Sequence, residues 1–189
     1  MTYPGPLVLP LSIAWLVSEV VLARAKRSKV TDTKRERTSL VTLWTTIAIS
    51  VTAGVMIGMQ DTGHFPTQST AIATTGIAMI ALGLVLRWIA ILTLGRLFTV
   101  DVAITRGHQL VRAGIYKVLR HPSYAGSLLS FLGLGLAFSN YLSVAVIFVP
   151  ICVAFLYRIH VEEKTLVATF GDEYLNYRAS TKGLVPGIW

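Results

Sequence analysis

The chain has 189 residues, of which 53% are hydrophobic and only 14% are charged, and its mean hydropathy is +0.64. Soluble domains carry about 25% charged residues, so this composition excludes an ordinary soluble domain and predicts an integral membrane protein. The formal net charge of +8 would also suit a nucleic-acid-binding protein. Nearly all Lys and Arg residues, however, lie in the segments between apolar runs, which argues against a nucleic-acid partner.

Five apolar runs predict five membrane-spanning helices in a single domain. A helix needs about 20 residues to cross the hydrocarbon core, with ~17 as a working minimum. The runs cover residues 7–23, 39–59, 70–92, 122–139 and 142–158. The expected fold is therefore all-α, a polytopic bundle with a cytoplasmic loop at 93–121 and a C-terminal cytoplasmic helical tail at 159–189.

The connections between the spans differ sharply in charge. The segments 24–38 and 93–121 and the tail from residue 158 hold sixteen of the 17 Lys and Arg residues, and the other connections hold none. By the positive-inside rule, this predicts the N-terminus outside and the C-terminus in the cytoplasm. The basic segment 24–38 also suits attraction to anionic membrane lipids.

Some polar and small residues of the first three spans predict specific contacts. Glu19 and Arg87 are opposite charges near the cytoplasmic ends of the first and third spans, so they either form a buried pair or each reach the interface. Gly76 and Gly83 are seven residues apart, on one helical face, and should let a neighbouring helix approach closely. His64 stands alone in the outer loop and is expected to be solvated.

The polar segment 107–126 and the start of the tail should meet. Pro122 suits the first turn of the fourth helix, which places Arg120 and His121 at the positive end of a helix dipole, as is typical of an anion site. The connection between the fourth and fifth spans allows only a tight turn, so these spans should form an antiparallel hairpin that brings Glu162 or Glu163 to the same place. Neighbours on a helix point about 100° apart, so only one glutamate can face the site.

This cluster has two interpretations from the residues alone. One is a pocket for a zwitterionic, ring-bearing cofactor, with Arg120 for an anion, a glutamate for an ammonium group or hydroxyls, and the faces of Tyr116 and Tyr124. The other is an ion-paired clamp that fixes the tail against the hairpin. No spacing such as His-x-x-x-His or Cys-x-x-Cys occurs, so no metal site is predicted.

Two spaced motifs resemble the signatures of the isoprenylcysteine carboxyl methyltransferase family. The first is Gly107-His108-x-Leu110-Val111-x-x-Gly114-x-Tyr116-x-x-x-Arg120-His121-Pro122-x-Tyr124-x-Gly126. The second is Glu162-Glu163-x-x-Leu166-x-x-x-Phe170-Gly171-x-x-Tyr174-x-x-Tyr177, followed by Val185-Pro186. The segment 87–98 resembles one that bacterial members carry, so the likeness extends over residues 87–186, and a prokaryotic inner membrane is expected.

The resemblance implies a membrane methyltransferase that uses S-adenosylmethionine and acts on a lipid-like, membrane-embedded acceptor, first of all a prenylcysteine-type carboxylate. It implies a cofactor site lined by His108, Gln109, Leu110, Val111, Gly114, Tyr116, His121, Pro122, Tyr124 and Glu162 or Glu163. Arg120 or Arg87, as catalytic residues, would hold the acceptor carboxylate by a charge-assisted hydrogen bond.

Other functions stay open beside this one. Phospholipid-amine and thiol methyltransferases have similar loops. NADPH-dependent sterol reductases share the Arg-His-Pro-x-Tyr pattern but place an acid where Ser127 stands here. A non-enzymatic membrane scaffold is the last alternative.

An apolar acceptor should enter from the membrane, because exposing each CH₂ group to water costs about 0.8 kcal/mol. The small residues Gly126, Ser127 and Ser130 on the fourth span predict a lateral opening between the third and fourth spans, beside Arg87. The soluble cofactor would enter from the cytoplasm.

Overall fold

The computed structural model describes residues 34–65, 70–95 and 110–184, together with residues 10, 12–15, 17, 18 and 21. Its elements are α1 (Lys34–Gly58), α2 (Thr70–Leu94), a 3₁₀ turn (Gly114–Lys117), α3 (Pro122–Ala137), α4 (Tyr141–Phe170) and α5 (Asp172–Ser180). The described residues between 10 and 21 are helical as well. The predicted all-α class is confirmed for the part of the chain that is described.

Three of these helices are long and apolar enough to cross a membrane, counting only described residues: Arg37–Gly58, Thr70–Leu94 and Tyr141–Phe170. The fourth predicted span is the 16-residue helix α3, about 24 Å long. It packs against both α2 and α4 and buries most of its side chains. The chain is thus an integral membrane protein built as a helical bundle, and the count of five spans stays a prediction.

Glycines follow the ends of two of the helices. α4 continues for 30 residues until Gly171, whose φ of 52° lies in the left-handed region that favours glycine. The chain turns there into α5. Gly95 has a φ of 54° and directly follows the last residue of α2.

Helices α2 and α3 meet backbone to backbone. A Cβ atom added at Gly76 would lie 2.6 Å from the carbonyl oxygen of Gly133, and one added at Gly126 would lie 2.6 Å from that of Gly83. Such distances leave no room for a side chain, which confirms the close approach predicted for Gly76 and Gly83.

The same contacts show that the predicted lateral opening between the third and fourth spans is wrong. Gly126 lies directly against the backbone of α2. Ser130 donates a hydrogen bond of 3.2 Å to a carbonyl oxygen of α2, and Ser127 accepts one of 2.9 Å from Arg87. The small residues bring the helices together, so they do not form a gap.

The turn between α3 and α4 is fastened to the loop that follows α1. The side-chain amide of Asn140, which is fully buried, donates to the carbonyl oxygen of Thr62 at 2.7 Å, and its side-chain oxygen caps α4. The ring nitrogens of His64 lie 2.8 Å from the carbonyl oxygen of Gln60 and 3.3 Å from that of Ser139. His64 is half-buried and keeps access to solvent, but it does not stand alone as expected, because the hairpin turn supplies a partner far away in the sequence.

Candidate functional site

At the end of the bundle where α3 begins, residues 118–121 pair with residues 182–183, which follow α5. Three backbone hydrogen bonds with N···O distances between 2.7 and 3.1 Å join the two segments. The predicted meeting of the polar segment with the tail is therefore confirmed for the described residues.

Glu163 lies at the centre of a buried cluster of charges beneath this pairing. Its Oε1 atom accepts a hydrogen bond of 3.0 Å from Nε of Arg120 and lies 3.2 Å from Nε2 of His121, while its Oε2 atom lies 3.5 Å from Nε of Arg178. The side chains of Arg120, His121 and Glu163 are only 5%, 4% and 7% exposed. We call Arg120, His121, Glu163 and Arg178 the ion clamp.

Arg120 also binds the backbone of the tail. One terminal nitrogen of its guanidinium group donates to the carbonyl oxygen of Arg178 at 3.1 Å and to that of Thr181. The hydrogen bonds of Arg120 to Glu163 and to these two carbonyl groups all tie the loop to the tail. Of the two interpretations of the sequence, the ion-paired clamp thus describes Arg120 and Glu163. Binding of an acceptor carboxylate by Arg120 stays a prediction.

Glu162, the neighbouring residue, is half-buried and has a different partner. Its Oε2 atom accepts a hydrogen bond of 2.7 Å from the hydroxyl of Tyr124. The ring of Tyr124 stacks on that of His121, with 5.7 Å between centroids and 9° between planes, and it also lies 5.2 Å from the ring of Phe155. Both glutamates thus contact residues of the predicted site, so the expectation that only one could face it is wrong. Because neighbours on a helix point about 100° apart, the two glutamates have different partners there.

Two further arginines lie deeper in the bundle. Arg87 on α2 is half-buried and donates to the hydroxyl oxygens of Ser123 and Ser127, at 2.9 Å each. Arg158 on α4 is 1% exposed and donates to the hydroxyl of Ser39 on α1 at 2.7 Å. The hypothesis of a pair between Arg87 and Glu19 is untested, because Glu19 lies outside the described residues.

Sequence reasoning missed Arg158 as a site residue, because it was counted with the basic tail. Its positive charge acts on the phenol of Tyr124 together with the negative charge of Glu162. The signal that pointed to it is its position, four residues before Glu162 and so on the same face of the helix.

The loop before α3 is fixed by two tyrosines. The buried Tyr116 donates its hydroxyl to the carbonyl oxygen of Ala90 at 3.4 Å, and Tyr177 on α5 donates to the carbonyl oxygen of Tyr116 at 2.7 Å. Burial, and then the negative charge of Glu162, raises the pKa of Tyr116. Burial also raises the pKa of Tyr177 to about 12, so both phenols are neutral donors near neutral pH.

The remaining predicted cofactor residues fall into two groups. Leu110 and Val111 are half-buried, Gly114 is exposed with a φ of 55°, and Pro122 is the first residue of α3, as its preference for the first helical turn predicted. His108 and Gln109 lie outside the described residues.

Fold and site together define a helical membrane protein whose tail covers a cluster of arginines, carboxylates and tyrosines at one end of the bundle. The sequence profile of the isoprenylcysteine carboxyl methyltransferase (ICMT) family matches residues 76–168. Protein-S-isoprenylcysteine O-methyltransferase B of Arabidopsis thaliana is 34% identical over 145 residues, which are 75% of this chain and 74% of that protein. Protein-S-isoprenylcysteine O-methyltransferase of Saccharomyces cerevisiae is 36% identical over 115 residues, which are 60% of this chain and 48% of that protein.

A solved structure of the eukaryotic intramembrane Ras methyltransferase ICMT is similar over 85% of this chain and 55% of that one, with a TM-score of 0.60 and 27% identity. This chain thus spans about half the length of the solved structure and of the yeast relative. It belongs to the isoprenylcysteine carboxyl methyltransferase family and is a membrane methyltransferase.

Proposed function

We propose that this enzyme transfers a methyl group from S-adenosylmethionine to the carboxylate of a lipid-like acceptor of the prenylcysteine type. Family membership and the printed names of the relatives support the reaction class. The observation that carries the proposal is the separation of the two glutamates. The charge of Glu163 is balanced by the arginines of the ion clamp, whereas Glu162 is half-buried and its carboxylate accepts a hydrogen bond from Tyr124.

These surroundings fit a cationic cofactor with ring and hydroxyl groups. The carboxylate of Glu162 can accept hydrogen bonds from an ammonium group or from ribose hydroxyls, and tyrosine faces attract a cation. When bound, S-adenosylmethionine supplies an activated methyl group on its sulfonium. The proposed cofactor-binding residues are His108, Gln109, Leu110, Val111, Gly114, Tyr116, His121, Pro122, Tyr124 and Glu162.

The acceptor carboxylate is already ionised near neutral pH, so it needs no general base. We assign its binding to Arg87, a catalytic residue on this proposal, because the known hydrogen bonds of Arg120 go to the tail. Arg158 adds a second positive charge beside Tyr124. The protein then mainly aligns the two reactants and excludes water.

The same two arginines favour a carboxylate over an amine as the acceptor. A protonated amine would meet like charges at Arg87 and Arg158 and would also have to lose a proton before it could react. A phospholipid-amine or thiol acceptor is therefore the second candidate for this site.

Calorimetric titration of the full chain in detergent tests the cofactor. S-adenosylhomocysteine should bind and NADPH should not, and the reverse result would refute the proposal. The acceptor is tested with S-adenosylmethionine labelled in its methyl group and with an N-acetylated prenylcysteine, phosphatidylethanolamine or a long-chain thiol. A carboxyl methyl ester releases its label as methanol in alkali, whereas N-methyl and S-methyl products keep it.

We also propose the finer topology, with five spans, the N-terminus outside and the C-terminus in the cytoplasm. The distribution of Lys and Arg supports it. In a Cys152→Ser background, a cysteine at Thr62 should react with an impermeant maleimide in intact cells, and one at Lys182 only after permeabilisation. The relatives named above are eukaryotic, and location in a prokaryotic inner membrane stays a prediction.

A further inference from the structure

The imidazole ring of His121 is held in one orientation. Its backbone N–H donates to the carbonyl oxygen of Gly183 at 3.1 Å, and its ring stacks on Tyr124 with 9° between the planes. Its Nε2 atom lies 3.2 Å from Oε1 of Glu163. These contacts fix the directions of both ring nitrogens.

Glu163 determines which of these nitrogens carries the hydrogen. An ionised carboxylate only accepts hydrogen bonds, and Glu163 lies between the guanidinium groups of Arg120 and Arg178, at 3.0 and 3.5 Å. Its contact with His121 therefore requires a hydrogen on Nε2. In a neutral imidazole the other nitrogen, Nδ1, is then a hydrogen-bond acceptor.

Nδ1 of His121 makes no hydrogen bond to any residue that the structure describes. The side chain is only 4% exposed, but Nδ1 itself is not fully buried, so water or a ligand can reach it. The ring also lies against Tyr124, whose hydroxyl is bound to Glu162. An unused acceptor of fixed direction thus lies next to the place where the cofactor is proposed to bind.

We propose that Glu163 is a positioning residue, which holds His121 as the Nε2–H tautomer so that Nδ1 accepts a hydrogen bond from S-adenosylmethionine. The donor is an N–H or O–H group of the cofactor, its ammonium group or a ribose hydroxyl. This inference rests on the proposed function and adds a defined polar contact to it. Glu163 then acts on the cofactor through His121, whereas Glu162 acts on it directly.

Nitrogen-15 NMR of the full chain, labelled in its four histidines, reads the tautomer. The His121→Gln variant identifies the His121 signals. In the wild type, Nδ1 should appear as an unprotonated nitrogen, and S-adenosylhomocysteine should shift its resonance while Nε2 stays protonated. In Glu163→Gln the side chain can present either an oxygen or an NH₂ group, so the His121 signals should show both tautomers. A protonated Nδ1 in the wild type, or one unmoved by the ligand, overturns the proposal.

Calorimetry with two His121 variants separates the cofactor contact from the clamp. The amide of His121→Gln can still donate to Glu163 but offers nothing at Nδ1. This variant should bind S-adenosylhomocysteine about tenfold more weakly, which is the loss of affinity expected for one hydrogen bond. Its thermal stability should stay nearly unchanged. His121→Asn offers an oxygen near Nδ1 but cannot reach Glu163, so it should lose more stability and less affinity.

The outcomes also separate this inference from the proposed function. If the wild type binds S-adenosylhomocysteine but Nδ1 does not respond, the role of Glu163 is refuted and the methyl-transfer proposal stands. If the ligand does not bind at all, both fail. Equal affinities of His121→Gln and the wild type would likewise refute the contact.

Discussion

Two ion pairs join the polar loop to the tail at nearly the same distance, and they should differ greatly in what they contribute to stability. Arg120 and Glu163 are 3.0 Å apart, with side chains 5% and 7% exposed. Arg112 and Glu173 are 2.9 Å apart, with side chains 44% and 57% exposed. The second pair is thus a matched control with the same chemistry in a solvated setting.

Arg120→Ala should lower the free energy of unfolding by about 3–5 kcal/mol, because it leaves a buried carboxylate with fewer donors. Two tail carbonyl groups lose their donor as well. Arg112→Ala should cost about 0–1 kcal/mol, because water already solvates both of its charges. Arg120→Lys should fall between the wild type and Arg120→Ala, since an ammonium group lacks the planar fork of a guanidinium.

Equilibrium unfolding in mixed detergent micelles, followed by tryptophan fluorescence, measures these differences. Double-mutant cycles with Glu163→Ala and Glu173→Ala give the coupling within each pair. Limited proteolysis after Ser180 reports tail docking independently. Equal couplings in the two pairs, or an Arg120→Ala protein within about 1 kcal/mol of the wild type, would refute the ion clamp as the element that fixes the tail.

Three further predictions concern neighbouring parts of the molecule. Glu162→Gln should weaken S-adenosylhomocysteine binding in calorimetry about tenfold or more at nearly unchanged melting temperature. Glu163→Gln should chiefly lower the melting temperature. The opposite pattern would assign cofactor binding to Glu163 and the structural role to Glu162. Gly83→Ala should destabilise the bundle by about 1–3 kcal/mol in the same unfolding assay, because its Cβ would meet the backbone of α3, and an unchanged stability would mean that the helices can separate. The pKa of Tyr177 is raised to about 12 by burial, so its contribution to stability is fully present below about pH 10 and is lost as the pH rises through 12. Tyr177→Phe should lack this part of the pH dependence of tail proteolysis. Identical pH profiles for the variant and the wild type would refute this prediction.

The helices and their contacts were largely predictable because they follow from local patterns. Pro122 starts α3, as its preference for the first helical turn predicted, and Gly76 and Gly83 lie against a neighbouring helix. The meeting of loop and tail followed from one further step, the short turn between the fourth and fifth spans. Each of these predictions depended on residues close together in the sequence.

The errors came from properties that the sequence pattern does not contain. Small residues on adjacent spans permit either a gap or a close approach, and only the distance between α2 and α3 decides between them. His64 gains a partner 75 residues away in the sequence. The charge count assigned Arg158 to the tail because a count of charges carries no information on depth, although the side chain is buried among three helices.

On the proposed topology, the short length of α3 determines how deep in the bilayer the site lies. Its 16 residues extend about 24 Å, whereas the hydrocarbon core of a bilayer is about 30 Å thick. The far end of α3 is fastened to the outer loop through Asn140, so the end that carries Ser123 and Tyr124 falls short of the opposite surface. Arg87 and Arg158 therefore place their charges at or just below the level of the lipid headgroups. A carboxylate attached to a membrane-embedded chain already lies at that level, so it can meet Arg87 while its apolar part stays in the bilayer.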